Sequence, residues 1–265
     1  MKKVGKCLYI GLIFLFLYLP IFTLVILSFN DSKNPSSIWK GFTFRWFEEI
    51  FSRSEWMEAL INTFVIGILA AGIATVVGVA ACVGIMALSR RQRVWMLQLT
   101  NIPMVNAEIV TAISLMLAFA MFGIALSRGT ILFAHICFCL PYVILNVLPK
   151  LRQTGTLAYD AARDLGAGPL KAFFSVVLPD IMPGVATGFL MSFTMSVDDF
   201  VITHFTRPSG INTLSTLIYS QQKVGIRTSL CALSTLIFLI VLLVLLIRMF
   251  VMNRAAADKT LKGGT

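Results

Sequence analysis

The chain has 265 residues, of which 58% are hydrophobic and 13% charged, with a formal charge of +10 and a mean hydropathy of +0.88. Soluble domains carry about 45–50% apolar and about 25% charged residues, so a soluble globular enzyme and a disordered chain are both excluded. The five cysteines, Cys7, Cys82, Cys137, Cys139 and Cys231, are odd in number and fall in or beside apolar stretches, which excludes a disulfide scaffold and shows no zinc-ligand spacing.

The basic charge has a simpler account than nucleic acid. Cytoplasmic loops of membrane proteins collect Lys and Arg, and no aromatic-and-basic nucleic-acid motif is present. A membrane helix needs about 20 mostly apolar residues. Six stretches meet that requirement, at about 7–29, 60–88, 99–122, 130–148, 181–205 and 230–251. The first follows Lys2, Lys3 and Lys6 as a signal peptide would. Its apolar run is too long for one, and no small-residue cleavage pattern follows, so it is read as an anchor.

The loop from Asn30 to about residue 59 holds Trp39, Trp46 and Trp56. Phe42, Phe44, Trp46 and Phe47 suit an interfacial aromatic belt, and a short amphipathic helix is expected around Arg45–Phe51. The second stretch is rich in Gly and Ala, from Gly67 to Gly84. Small residues let membrane helices approach closely, so this helix is expected deep in the bundle. The first and sixth stretches, dominated by Leu, Ile and Phe, are expected to face lipid. With the N-terminus inside, 14 of the 22 Lys and Arg fall on the inner side and 8 outside. The short Arg90-Arg91-Gln92-Arg93 turn is the sharpest contribution, and both termini are expected to be cytoplasmic.

Residues 150–180, on the expected inner side, read as a helical elbow. A short helix covers Thr156 to Leu165, with Thr156 as N-cap and Gly166 in the left-handed position after it. Pro169 opens a second short helix, a favoured first-turn position, with Leu170, Phe173, Phe174, Val177 and Leu178 as its apolar face and Leu178-Pro179 closing it. By periodicity alone an amphipathic interfacial linker is the alternative.

Acids at membrane depth cost several kcal/mol unless they face water or a partner. Three stand there: Glu108, Asp198 and Asp199. The last two lie toward the outer end of the fifth stretch, and neighbours on a helix point about 100° apart. One is therefore expected to face the pathway while the other caps, pairs with a partner chain, or meets His204 or Arg207. Pro103 and Asn106 predict a locally unwound helix before Glu108. His135 reads as a hydrogen-bonded core residue. No triad spacing and no Walker A loop is present.

Asp160-Ala161-Ala162, Gly166 at three intervening residues, and Val176-Val177-Leu178-Pro179 nine residues further on resemble the EAA loop of ABC-importer permease subunits. The family pattern has Glu where Asp160 stands and Ile where Val176 stands; the spacing is the same. Phe29-Asn30-Asp31-Ser32, Thr111–Leu115, Leu140-Pro141-Tyr142 and Ser192–Phe200 resemble, more narrowly, the spermidine/putrescine (PotC-type) branch, with Ser196-x-Asp198-Asp199-Phe200 the most specific element.

The resemblance implies an all-α, polytopic membrane protein, a type I ABC importer permease with six transmembrane helices in a single domain (1–265) and a cytoplasmic coupling elbow at about 156–179. It implies a pathway lined by Trp46, Glu108, Ser196, Asp198 and Asp199. ATPase coupling would pass through Asp160, Ala161, Ala162, Arg163, Asp164 and Gly166. The implied partners are a second permease subunit (PotB-type), an ATPase homodimer (PotA-type) that holds ATP and Mg, and an extracytoplasmic polyamine-binding protein (PotD-type). The expected location is the bacterial plasma membrane, and no cofactor or metal is expected on this chain.

For the residues themselves alternatives stay open. Trp46 suits a belt, Asp199 a structural pairing with Arg207, and Glu108 a pairing with a base on the partner chain. Another cargo, such as iron, an aminophosphonate or an opine, is compatible with the same class. A polytopic intramembrane enzyme would need a nucleophile–base or metal pair at midplane that the sequence lacks, and a passive channel has no use for the elbow.

Overall fold

The computed structural model describes residues 2–35, 38–154, 157–225, 227–239 and 242–243. The elements are α1 (Lys2–Leu27), α2 (Arg45–Ser52), α3 (Ser54–Ala87), α4 (Arg90–Val105), α5 (Glu108–Met121), α6 (Arg128–Thr154), α7 (Leu157–Asp164) and α8 (Pro169–Ala172). A π turn (Phe173–Val177), α9 (Leu178–Asp198), α10 (Val201–Thr206) and α11 (Leu214–Val224) follow, and then α12 (Thr228–Leu239). The chain divides into two units, Met1–Met57 with Ile218–Thr265, and Glu58–Leu217.

Among the described residues four helical segments are long and apolar enough to cross a membrane: Tyr9–Leu27 within α1, α3, α6, and Pro169–Asp198. The bent pair α4 and α5 makes a fifth if taken as one broken span. The expected sixth stretch is described only as α12 and at residues 242–243; the rest of 230–251 lies outside the described residues. So does Thr156, the expected N-cap of the elbow.

The third stretch departs from a straight helix over 99–122. The chain bends by 102° between α4 and α5, with Asn106 (φ −70°, ψ 145°) and Ala107 (φ −60°, ψ 135°) extended at the break. Pro103 has already removed one helix donor from the turn before it, and the acid Glu108 opens the next helix, where the macrodipole favours a negative charge. The unwinding expected near Glu108 is therefore present, and it is sharp. No residue of α4 is buried.

The elbow also departs from expectation. Leu178-Pro179 does not close the second helix: Pro169–Asp198 is one helical run of 30 residues, passing through the π turn into α9. Leu178 donates to the Phe173 carbonyl five residues back. That wider turn leaves room for the ring of Pro179, which a regular helix would press against the carbonyl four residues earlier. The fifth stretch in turn ends early. α9 stops at Asp198, Asp199 is extended (φ −63°, ψ 126°), and the short α10 follows.

In the unit Glu58–Leu217, α6 and α9 form the central antiparallel pair, and α10 packs on α5 and α6. The seam between α6 and α9 advances four residues at a time. His135 meets Ser196. Cys139 and Ser192 exchange hydrogen bonds with each other's carbonyls, both at 3.3 Å. A Cβ on Gly188 would stand 3.3 Å from Val143 Cα, and one on Gly184 2.9 Å from the Asn146 carbonyl. Gly184, Gly188, Ser192 and Ser196 thus form a small-residue stripe with the period that membrane helices use for close contact. α3 approaches the same pair: a Cβ on Gly78 would stand 2.5 Å from Val143 Cγ1, and one on Gly67 3.1 Å from Val197 Cγ2. Ala70, Ala71 and Ala74 are fully buried while Ile68, Ile73 and Val76 are exposed, so one face of this helix packs inward and the other is open.

In the other unit, no residue of Tyr9–Leu27 is buried. After α1 the chain doubles back. Asn30 and Phe42 form an antiparallel bridge, Phe29 stacks on Phe42 at 4.9 Å, and the Thr228 N–H donates to the Lys33 carbonyl at 3.2 Å. The amphipathic helix expected around Arg45–Phe51 is α2.

Candidate functional site

The two acids at the end of α9 separate completely. Asp198 is the last residue of the helix and is exposed. Asp199 turns inward, and its side chain keeps 1% of its surface. Its carboxylate caps α10 from one turn away: Oδ1 accepts from the Ile202 N–H at 3.1 Å, and Oδ2 from the Thr203 N–H at 2.8 Å and the Thr203 hydroxyl at 3.0 Å. These are two of the orphan donors that open every helix, so the acid replaces bonds that the break would otherwise leave unmade. Ser215 Oγ donates to the Asp199 carbonyl at 2.6 Å.

His135 closes this cluster. Its side chain is also 1% exposed, with Nδ1 2.6 Å from Ser196 Oγ and Nε2 2.9 Å from Thr203 Oγ1. Nε2 lies 3.6 Å from Asp199 Oδ2. Arg207, the residue expected as a structural partner of Asp199, bonds elsewhere. Its guanidinium donates to the Ile211 carbonyl at 3.0 Å and to the Asn212 side chain. Of the expected pathway residues, Ser196 and Asp199 therefore come together in a buried network and Asp198 stands at its rim in the open. Glu108 is exposed at the first turn of α5, the helix on which α10 packs.

Trp46 belongs to the other unit. It is buried, its Nε1 donates to the Asn30 carbonyl at 2.8 Å, and the Arg45 guanidinium covers its ring at 4.6 Å while pairing with Asp31 at 3.0 Å. The ring face that a cationic cargo would use is thus occupied by an arginine of this chain. Asn30, at the centre of the Phe29–Ser32 element, also accepts the Lys40 N–H on Oδ1 at 3.0 Å.

The coupling candidates lie on α7 and its exit. Gly166 has φ +88°, the left-handed value expected of it. The Gly166 N–H donates to the Arg163 carbonyl at 2.9 Å and the Ala167 N–H to the Ala162 carbonyl at 3.0 Å, a Schellman-type ending. Arg163 Nη1 also donates to the Ala167 carbonyl at 3.0 Å. Asp160, Ala161, Arg163, Asp164 and Gly166 are exposed, and Ala162 is half-buried. Tyr159 and Phe173 pack the elbow against the core. Leu157, Leu165 and Leu170 are left 85%, 90% and 73% exposed.

Sequence reasoning missed the α6–α9 seam and the roles of Thr203 and Ser215. The spacing of Gly184, Gly188, Ser192 and Ser196 carried the signal for the seam. Nothing local announced the cap on α10, because it depends on where α9 stops.

The apolar helices and the Gly-terminated elbow suit a transport subunit, and the family comparison shows one. The family described as "Binding-protein-dependent transport system inner membrane component" matches residues 1–260, and the chain belongs to it. It is an ABC-importer permease subunit, the multi-pass membrane component of a binding-protein-dependent system, and not itself the ATPase.

Among its relatives is the Escherichia coli (strain K12) spermidine/putrescine transport system permease protein PotC, 33% identical over 96% of this chain and 94% of that one. Another is the E. coli (strain K12) putrescine transport system permease protein PotI, 37% identical over 93% and 90%. The fold is shared with a chain of a bacterial ABC transporter involved in the import of the acidic polysaccharide alginate. That match has a TM-score of 0.72 at 16% identity and covers 96% of this chain and 95% of that one.

Proposed function

We propose that this chain forms half of the membrane pathway of an ATP-driven importer of spermidine and putrescine. The observation that carries the cargo class is Asp198, an exposed carboxylate on the last residue of α9. An acid at a helix C-terminus opposes the macrodipole at about 0.3–1 kcal/mol, and a bound ammonium group reverses that sign. Glu108 supplies a second exposed carboxylate. A polyamine carries several ammonium groups along an apolar chain, and carboxylates set at intervals suit it through charge-assisted hydrogen bonds. The relatives named for spermidine and putrescine support the same cargo. The alginate transporter shares only the fold, so side chains rather than architecture must set cargo charge.

The partners in this reading are a PotB-type second permease, a PotA-type ATPase homodimer that binds ATP and Mg, and a PotD-type binding protein outside. Both termini face the cytoplasm, in keeping with the excess of Lys and Arg on that side. ATP closes the ATPase pair, the elbow transmits that motion through the continuous run Pro169–Asp198, and the pathway opens outward to accept a cation from the binding protein. The test is uptake of radiolabelled spermidine and putrescine by the complete complex in liposomes. Saturable uptake that requires ATP, and that neither iron nor an aminophosphonate displaces, is expected. Uptake of either of those, with no polyamine uptake, would transfer the assignment to another cargo.

A further inference from the structure

We propose that His135 is a positioning residue that fixes the break between α9 and α10, so that Asp198 is presented outward while Asp199 is held in. The proposal rests on the reading of Asp198 as a cargo contact and deepens it.

The Asp199 carboxylate fixes the direction of the network at its α10 end. The Asp199 carboxylate only accepts, so the Thr203 hydroxyl, 3.0 Å from Oδ2, donates to it. That leaves Thr203 Oγ1 as an acceptor for the His135 Nε2–H at 2.9 Å. Nδ1 pairs with the Ser196 hydroxyl at 2.6 Å, accepting from it in a neutral ring or donating to it in an imidazolium. The relay runs Ser196, His135, Thr203, Asp199, and every member is buried.

Its two ends lie on opposite sides of the break. Ser196 is in the last turn of α9, and Thr203 is in α10. Asp198 has no partner in this relay, yet it sits between the two anchored points, two residues after Ser196 and one before Asp199. The imidazole bonds to both. It stands on α6 at the end of the four-residue seam, so the break is keyed to the most tightly packed helix pair in its unit. Losing the imidazole unpins the last turn of α9 from α10, and rotation of that turn changes the direction of Asp198.

His135→Leu fills the space and removes both bonds; His135→Gln keeps one acceptor and one donor on a single side chain. In the complete reconstituted complex, H135L is expected to raise the half-saturating spermidine concentration at least fivefold, with maximal rate per assembled complex and basal ATP hydrolysis kept. H135Q should recover most of that loss. In an Asp198→Asn background H135L should add nothing, because residues that act as one unit are non-additive; a purely structural loss would add equally in both backgrounds.

If H135L fails to assemble, Thr203→Val breaks the same relay with nearly the same shape and carries the same comparison. An unchanged half-saturation for H135L or its T203V substitute, or full additivity with D198N, overturns the positioning role. Unchanged uptake by D198N alone removes the underlying reading of Asp198 instead, so the two failures are distinguishable.

Discussion

The α9–α10 break and the elbow around Gly166 are both interruptions of helix in the same unit, and they are finished in opposite ways. At the break, Asp199, Thr203, His135 and Ser196 satisfy one another inside the chain. At the elbow the backbone is capped by its own Schellman-type bonds, but Leu157, Leu165 and Leu170 stay uncovered. Under the coupling role proposed for the elbow, these are the side chains that an ATPase subunit would cover. The contrast separates an interruption whose side chains satisfy one another from one whose apolar side chains stay exposed.

The largest effect on the subunit itself should come from the self-contained region. Asp199→Asn puts an amide donor among the Ile202 N–H, the Thr203 N–H and the Thr203 hydroxyl, which now donate to a carboxylate. Bonds to charged groups are worth about 1.5–3 kcal/mol each, so a loss of about 3 kcal/mol is expected. It should be read as a lowered Tm of the purified complex before any change in uptake per complex.

Gly166→Val should come next. A Cβ there meets nothing within 4 Å, so the penalty is that of the φ +88° backbone alone, about 1–2 kcal/mol for an L side chain in that conformation. The altered exit should lower ATPase binding and transport about tenfold while the protein still inserts. Gly166→Asn, which tolerates the left-handed region, should keep most of both. Normal docking and uptake by G166V would break the comparison at the elbow.

The smallest effect on stability belongs to Leu165→Ser. An exposed side chain contributes within about 0.5 kcal/mol to folding, so Tm should hold while the affinity of the permease pair for the ATPase falls. A Tm shift as large as that of D199N would mean that the leucine is covered within the chain.

Much of this was legible in the sequence because it rests on local chemistry. Gly166 follows a short helix at the spacing a left-handed cap requires, and Gly67 to Gly84 announce a helix that others approach. The Pro103–Asn106 break is written in residue types that interrupt helices. The fate of the two acids was legible only in part. The 100° rule separates Asp198 from Asp199, but which one turns inward depends on α9 stopping at Asp198 and on an imidazole 64 positions earlier in the chain. Trp46 shows the same limit. Its aromatic surface suits a cation, and only the fold brings the Arg45 guanidinium over that ring and the Asn30 carbonyl to its indole nitrogen. The continuity of the elbow with α9 was hidden by Pro179, whose usual role as a helix stop is overridden by the π turn before it.

The central claim is that neighbouring acids divide the work, Asp198 for the cation and Asp199 for the fold. Its most direct test is spermidine uptake normalised to assembled complex, measured beside Tm for D198N and D199N across a concentration series. An ion pair to the cargo is worth about 1.5–3 kcal/mol on the scale of a charged hydrogen bond, or roughly tenfold or more in affinity. The account predicts that D198N loses uptake by about that factor at unchanged Tm, and that D199N loses Tm and assembly first. Equal uptake per complex in D198N and the wild type, or the larger Tm loss in D198N, would contradict it.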